Sequence, residues 1–287
     1  MEPTSRDVHI HGFRHRVLEW DGGDSTTLLC IHGFLDLAWS WFAVAPKLAA
    51  AGFHVVAPDL RGHGDSDRVG RGGFYHFLDH VRDAADVADA LQRERLFVCG
   101  HSLGAMIATY HAASFPERVE RLALLDGFGE RDEAVTVGPR RAADWILAVR
   151  GVHARAPVAY PTLDAAADQL RELDPRCDAG LARFLAEKST KAGPDGFVFK
   201  HDPLHLVRGP QPFELATARA FWRAIRCPTL LVDAADSEYT RRIPDLEPRL
   251  REFPGARRIT LRNAGHMLLR HQPDAVARML VEFFTGA

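Results

Sequence analysis

The sequence predicts an α/β protein: a mostly parallel central sheet flanked by helices, with a helical segment inserted into it. Three observations carry this expectation. Short apolar runs of strand length alternate with helical periodicity as far as residue 126, the rhythm of a parallel sheet covered on both faces. The rhythm stops over residues 127–218, where helical stretches lie between Pro- and Gly-containing loops. It resumes with apolar runs at 228–233 and 257–261 and a closing helix at 274–284. Residues 1–126 and 219–287 are therefore expected to form one core, and 127–218 an inserted cap.

The elements follow in order. Residues 7–11 and 14–20 alternate around Gly12, as in a hairpin. Residues 28–32 are a continuous apolar run, the pattern of a strand buried on both faces. A helix is expected from Ala38 to Gly52, with Pro46 to Gly52 closing it, and a second buried strand at 54–59. Apolar Phe77, Val81, Ala84, Ala85, Ala88 and Leu91 recur at helical spacing. Residues 96–100 read as a third buried strand, 102–114 as the helix after it, and 121–126 as a fourth strand. Within the insertion, helices are expected at 139–149, 163–173 and 179–188, followed by an apolar run at 197–199.

Composition narrows the class. The chain has 287 residues, 46% hydrophobic and 26% charged, so it buries a full core without disulfide staples. A net charge of −2 advertises no nucleic acid or anionic membrane as partner. The cysteines Cys30, Cys99, Cys177 and Cys227 form no CxxC and read as reduced, buried thiols. The N-terminal stretch lacks an apolar secretory segment, and no apolar run is long enough to span a bilayer. A cytoplasmic protein, monomer or homodimer, with a small molecule as its partner, is the expectation.

Chemistry concentrates at Gly100-His101-Ser102-Leu103-Gly104, a G-x-S-x-G pattern between an apolar strand and a helix. A turn that tight excludes side chains at Gly100 and Gly104 and holds Ser102 at its apex. A serine hydroxyl needs a base within hydrogen-bond reach. His266, in the loop after the last strand, is the candidate. His101 points away from the serine, and His32 is expected to brace its own loop. The base needs a carboxylate to orient it. Asp236 lies between nucleophile and base in chain order and is preferred; Asp126 is the alternative, with Asp233 behind it. Oxyanion donors are expected from the backbone N–H groups of Leu103 and Phe34, the latter turned inward by Gly33.

These motifs carry a resemblance. His32-Gly33-Phe34, then 59–66 (DLRGHGDS), then 100–104, Asp236 and Gly265-His266 follow one another as in the α/β-hydrolase fold superfamily, over nearly the whole chain. The stretches HGFLD at 32–36 and DPL at 202–204 are similar to serine hydrolase-like members. Ala234 stands where the superfamily often has Gly, and Asp126 occupies a position that some relatives use for their acid. The resemblance implies a cofactor-free serine hydrolase with a mobile helical cap. Small, largely apolar carboxylic esters lead the expected substrates, ahead of a thioester, a lactone or a carbon–carbon bond beside a ketone. A ligand-binding protein without turnover is the rival. Epoxides are disfavoured, since relatives acting on them carry Asp at the apex.

Other patterns weigh less. His9 with His11, and His201 with His205, lack the further ligands of a metal site, so no metal is expected. No phosphate-binding glycine loop follows a strand. Trp145, Tyr160, Phe184, Phe197 and Phe199 would line an acyl pocket if they face the site, and otherwise pack the core of the insertion. The 59–66 segment is expected to support the fold.

Overall fold

The computed structural model describes residues 1–23, 26–130 and 138–286. The chain opens with a hairpin of β1 (Thr4–Ile10) and β2 (Phe13–Asp21). Its two turn residues, His11 and Gly12, both have positive φ, the mirror-image turn whose twist suits the flanking strands. β3 (Thr27–Ile31), α1 (Ala45–Ala50), β4 (His54–Pro58), α2 (Phe77–Ala90), β5 (Leu96–His101), α3 (Leu103–Ser114) and β6 (Val119–Leu125) follow. The insertion holds α4 (Pro139–His153), α5 (Leu163–Leu173), α6 (Ala179–Ser189) and a small hairpin of β7 (Thr190–Gly193) and β8 (Gly196–Phe199). The chain returns through α7 (Leu215–Ala224), β9 (Thr229–Ala234), α8 (Glu238–Arg241), α9 (Leu246–Leu250), β10 (Arg257–Leu261), α10 (Leu268–His271) and α11 (Pro273–Thr285).

Eight strands form one sheet in the order β1-β2-β4-β3-β5-β6-β9-β10. β1, β2 and β4 pair antiparallel, and the rest pair parallel. β3, β5 and β9 are buried at every residue, which is why their sequences run apolar without alternation. One face is covered by α1, α11 and the turn Ala38–Trp41, around Trp20, Trp41, Leu48 and Leu280. The other packs α2, α3 and α7 through Val81, Ile107 and Trp222. Because β3, β5, β6, β9 and β10 run parallel, the loops leaving their C-terminal ends gather along one edge of the sheet, where ligands bind in open α/β sheets.

The structure departs from the sequence reading in four places. The helix expected over 38–52 is two pieces, the 3-10 turn Ala38–Trp41 and then α1. Pro46 starts the second piece rather than closing one, since in a first turn its missing N–H costs nothing. Ser102 stands just outside α3, at its N-cap. The run at 197–199 is half-buried in the small β7–β8 hairpin, apart from the main sheet. α7 starts at Leu215, ahead of the expected boundary at 219, and buries Leu215, Ala218 and Trp222 against the core.

The insertion has its own small core. Ala166, Ala167, Ala182 and Ala186 let α5 and α6 approach closely. Phe184 reaches down to the core, its ring 4.8 Å from Phe42 and 5.8 Å from Trp39. Tyr75 donates to Asp202 at 2.8 Å, and Asp202 N–H donates to the Gly62 carbonyl at 2.7 Å. All four cysteines are free, Cys30 and Cys99 facing each other across β3 and β5. Among the described residues no helix is long and apolar enough to cross a membrane.

His111 on α3 is 2% exposed, and neither ring nitrogen has a protein partner among the described residues. Burial, reinforced by the Arg118 guanidinium against the weaker pull of Asp89, lowers its pKa from 6.5 to about 4. A group whose folded pKa is depressed in this way contributes nothing above pH 6.5. As pH falls through the window from 6.5 to 4 the unfolded chain gains a proton that the folded one refuses. The cost at pH 5 is on the order of 2 kcal/mol. His111→Leu should therefore shrink the stability lost between pH 7 and pH 5 by about that amount, read from urea unfolding at both pH values. An unchanged difference would contradict the assignment.

Candidate active site

Ser102 terminates β5 with φ 54° and ψ −118°, a conformation that L residues rarely adopt. The strand enters and α3 leaves so abruptly that neighbouring backbones touch. A Cβ at Gly100 would lie 2.1 Å from the Gly104 carbonyl oxygen, and one at Gly104 2.2 Å from that of Ile31. Both glycines are thus sterically required, as the motif implied. The turn projects the Ser102 hydroxyl toward the loop after β10. There His266 Nε2 lies 2.9 Å from Ser102 Oγ.

On its other side, His266 Nδ1 lies 2.7 Å from Asp126 Oδ2. Asp126 follows β6 directly, with a φ of 48° and no solvent exposure. Its carboxylate also accepts from the Ala234 N–H at 3.0 Å and from the Ser237 hydroxyl at 2.5 Å. A carboxylate that accepts three donors is satisfied as the ionised form. Nδ1 then carries the imidazole proton, and the Nε2 lone pair faces the serine.

The preference for Asp236 over Asp126 is corrected by this geometry. Asp236 lies at the rim and pairs with Arg176 of the insertion at 2.9 Å. Its side chain is 38% exposed, and His266 has turned to Asp126 instead. The reason is lateral. β6 lies next to β5, whereas β9 is one strand further away. Asp233, still on β9, is held by Arg258 and Thr260.

The loop after β3 brings Gly33 so close that a Cβ there would sit 3.1 Å from Ser102 Cβ. Phe34 and Leu103 line the same pocket as Ser102. Among the described residues neither backbone N–H has a protein acceptor. Buried partners brace this loop. His32 Nε2 accepts from Leu60 N–H at 3.0 Å, which leaves the proton on Nδ1, facing the Gly33 carbonyl at 2.8 Å. Burial lowers the His32 pKa despite the nearby Asp59 and Asp36, so it braces in its neutral form, as expected. Leu35 N–H reaches His63 Nε2, Arg270 holds both oxygens of Asp36 at 2.9 Å, and Ala38 N–H donates to Asp59 at 2.7 Å.

His101 lines the same pocket as Ser102 and has work that the sequence did not reveal. Its Nε2 donates to the His266 carbonyl at 2.7 Å. Burial, with His266 nearby, keeps its pKa well below 6.5. Ser237, Tyr239 and Glu130 were also missed. Tyr239 packs its ring 4.9 Å from that of His266, and Glu130 lines the pocket.

That pocket measures about 340 Å³, with Phe34, Leu103, Met106, Tyr239 and Met267 as its apolar walls. The insertion aromatics do not line it. Trp145 packs on Phe74, Tyr160 on Phe199, and Phe184 on the core. They serve the insertion and its seam with the core rather than an acyl pocket. Of the other histidines weighed, His205 stacks on Tyr75 at 3.8 Å and His201 on Phe199 at 5.7 Å.

A family profile described as the alpha/beta hydrolase fold matches residues 26–174. A serine hydrolase-like protein of Dictyostelium discoideum is 28% identical over 98% of this chain and 82% of its own length. Epoxide hydrolase A of Mycobacterium tuberculosis is 28% identical over 99% of this chain and 98% of its own. Among solved structures, the thioesterase domain from the curacin biosynthetic pathway superposes with a TM-score of 0.87 at 26% identity, covering 98% of this chain and all of that one.

The two carboxylates separate by mutation. Asp126→Asn should lower kcat on an activated ester by a factor of order 10⁴, as loss of a His-orienting carboxylate does elsewhere. Asp236→Asn should cost less than about tenfold, because exposed ion pairs contribute little. Steady-state kinetics on both variants checks this, and the reverse order would return the role to Asp236.

Proposed function

The chain belongs to the α/β hydrolase fold family, and we propose that it is a serine hydrolase acting on a small, largely apolar carboxylic ester. The observation that carries this reading is the continuous hydrogen-bonded line from Ser102 Oγ through His266 to Asp126, beside the pocket that Ser102 and His266 line. His266 Nε2 takes the hydroxyl proton as Ser102 Oγ bonds to the acyl carbon. Asp126 stabilises the imidazolium that forms. The N–H groups of Phe34 and Leu103 receive the oxyanion. Collapse expels the alcohol, which takes the proton back from His266 and leaves the acyl group on Ser102. Water, deprotonated by the same imidazole, attacks the acyl carbon, and the acid departs as Ser102 recovers its proton.

Pocket size and lining support the substrate class. The cavity at Ser102 measures about 340 Å³, near the lower end for small-molecule sites, and a second cavity of about 550 Å³ adjoins it through Glu130, Tyr239 and His266. The apolar walls suit a short acyl or alkyl group. An epoxide fits this chemistry poorly despite the named relative. Attack by a serine oxygen on an epoxide carbon would form an ether, which has no carbonyl for water to attack. A carboxylate nucleophile forms an ester, which does. A thioester is open to the same attack as an ester, and the thioesterase neighbour is reason to test one alongside.

A fluorophosphonate probe should modify the protein stoichiometrically at Ser102, read by mass spectrometry, and modification should vanish in Ser102→Ala. A graded series of p-nitrophenyl esters should show the highest kcat/KM at short acyl chains. No modification of the folded protein would overturn the reading in favour of ligand binding without turnover.

A further inference from the structure

α10 separates His266 from the C-terminal helix by only a few residues, and it ends on a second imidazole with a carboxylate partner. His271 Nε2 lies 3.0 and 3.1 Å from the two oxygens of Asp174, which caps the C-terminal end of α5 in the insertion. His271 Nδ1 lies 3.0 Å from the backbone nitrogen of Gly265, the residue before His266. A backbone N–H can only donate, so Nδ1 accepts and Nε2 carries the proton toward Asp174. The partners at its two ends thus select one neutral tautomer. Gly265 leaves room for this approach, since a Cβ there would crowd His271 Cε1 at 3.3 Å.

The peptide at His266 is therefore held from both sides. His271 takes the N–H just before it, and His101 donates to its carbonyl at 2.7 Å. The His271–Asp174 pair is buried, with 7% and 9% of the side chains exposed, unlike the Arg176–Asp236 pair beside it. Burial alone would push the Asp174 carboxyl up. The hydrogen bonds from the His271 Nε2–H and the Arg176 N–H, with the Arg270 guanidinium nearby, outweigh that and bring it below its ordinary value. A buried, doubly anchored pair of this kind is stiff, and it links an inserted segment to the loop that carries the proposed base.

We propose that Asp174 and His271 are positioning residues for His266, so that docking of the 174–177 segment of the insertion onto α10 sets the imidazole against Ser102. The proposal rests on the reading of His266 as the base. It makes the insertion part of the catalytic assembly. It also gives His271 a role in turnover although it touches no reacting atom.

The test uses the full-length protein with p-nitrophenyl acetate and a fluorophosphonate. His271→Phe keeps ring bulk but removes both hydrogen bonds. It should lower kcat and the rate of Ser102 phosphonylation by about tenfold to a hundredfold, the scale expected for a displaced catalytic group, with KM nearly unchanged. His271→Asn puts its Oδ1 where Nδ1 stood, so it keeps the Gly265 bond and should recover much of the loss. Asp174→Ala, assayed well below its melting temperature, should lower kcat in the same direction and decides the matter if His271→Phe does not fold. Folded His271→Phe and Asp174→Ala proteins with wild-type kcat and phosphonylation rates would overturn the proposal while leaving the serine-hydrolase reading standing. Failure of the probe to label the wild-type protein would instead remove that reading, and the proposal with it.

Discussion

The backbone at Ser102 is the constraint around which the rest is arranged. A non-glycine residue at φ 54° and ψ −118° stores about 1–3 kcal/mol of strain and persists only where its surroundings determine it. Here they do so by contact. Gly100 and Gly104 nearly touch each other's backbone, Gly104 lies against Ile31, and a Cβ at Gly127 would lie 2.2 Å from the Ser102 carbonyl oxygen. β5, buried at every residue between β3 and β6, cannot shift to relieve the strain. The hydroxyl is thereby aimed before any substrate arrives, and a pre-aimed group avoids the ordering cost that a free side chain incurs at each turnover.

The neighbouring strands then share out the other parts by distance. β3, on one side, supplies the loop whose Gly33 and Phe34 line the pocket. β6, on the other, supplies Asp126. The loop after β9 is a strand further out, and its contribution is indirect. Ser237 donates to Asp126, and Asp236 N–H holds the Ala264 carbonyl at 3.0 Å while its carboxylate meets Arg176. Burial follows the same division. Asp126 is fully buried and surrounded by donors, whereas Asp236 is part-exposed in a solvent-screened pair. Only the buried position gives a carboxylate the low-dielectric setting in which it interacts strongly with a neighbouring imidazolium.

Legibility in the sequence divides along the same physical line. Strands buried on both faces announce themselves as unbroken apolar runs, so 28–32, 54–59, 96–100 and 121–126 could be placed closely. The G-x-S-x-G turn was legible because its glycines answer to steric contacts within a few residues of chain and one neighbouring strand. The carboxylate was not. Asp126, Asp233 and Asp236 all stand at strand ends, and chain order favoured Asp236. What separates them is which strand lies beside β5, and that is set by long-range pairing. The same limit hid His101, Ser237 and the Asp174–His271 pair, whose partners lie 165, 111 and 97 residues away. The insertion aromatics left two readings open for a related reason. Aromatic residues in a segment signal packing but do not say which surface they pack against.

Central to the account is a proton on His266 Nδ1 shared with the carboxylate of Asp126 rather than that of Asp236. Proton NMR of the resting protein in water reports it most directly, since an imidazole N–H in a short bond to a buried carboxylate resonates far downfield of the amide envelope. The account predicts such a signal in the wild-type protein, retained in Asp236→Asn and absent from both Asp126→Asn and His266→Ala. A signal that survives Asp126→Asn and disappears in Asp236→Asn would contradict it.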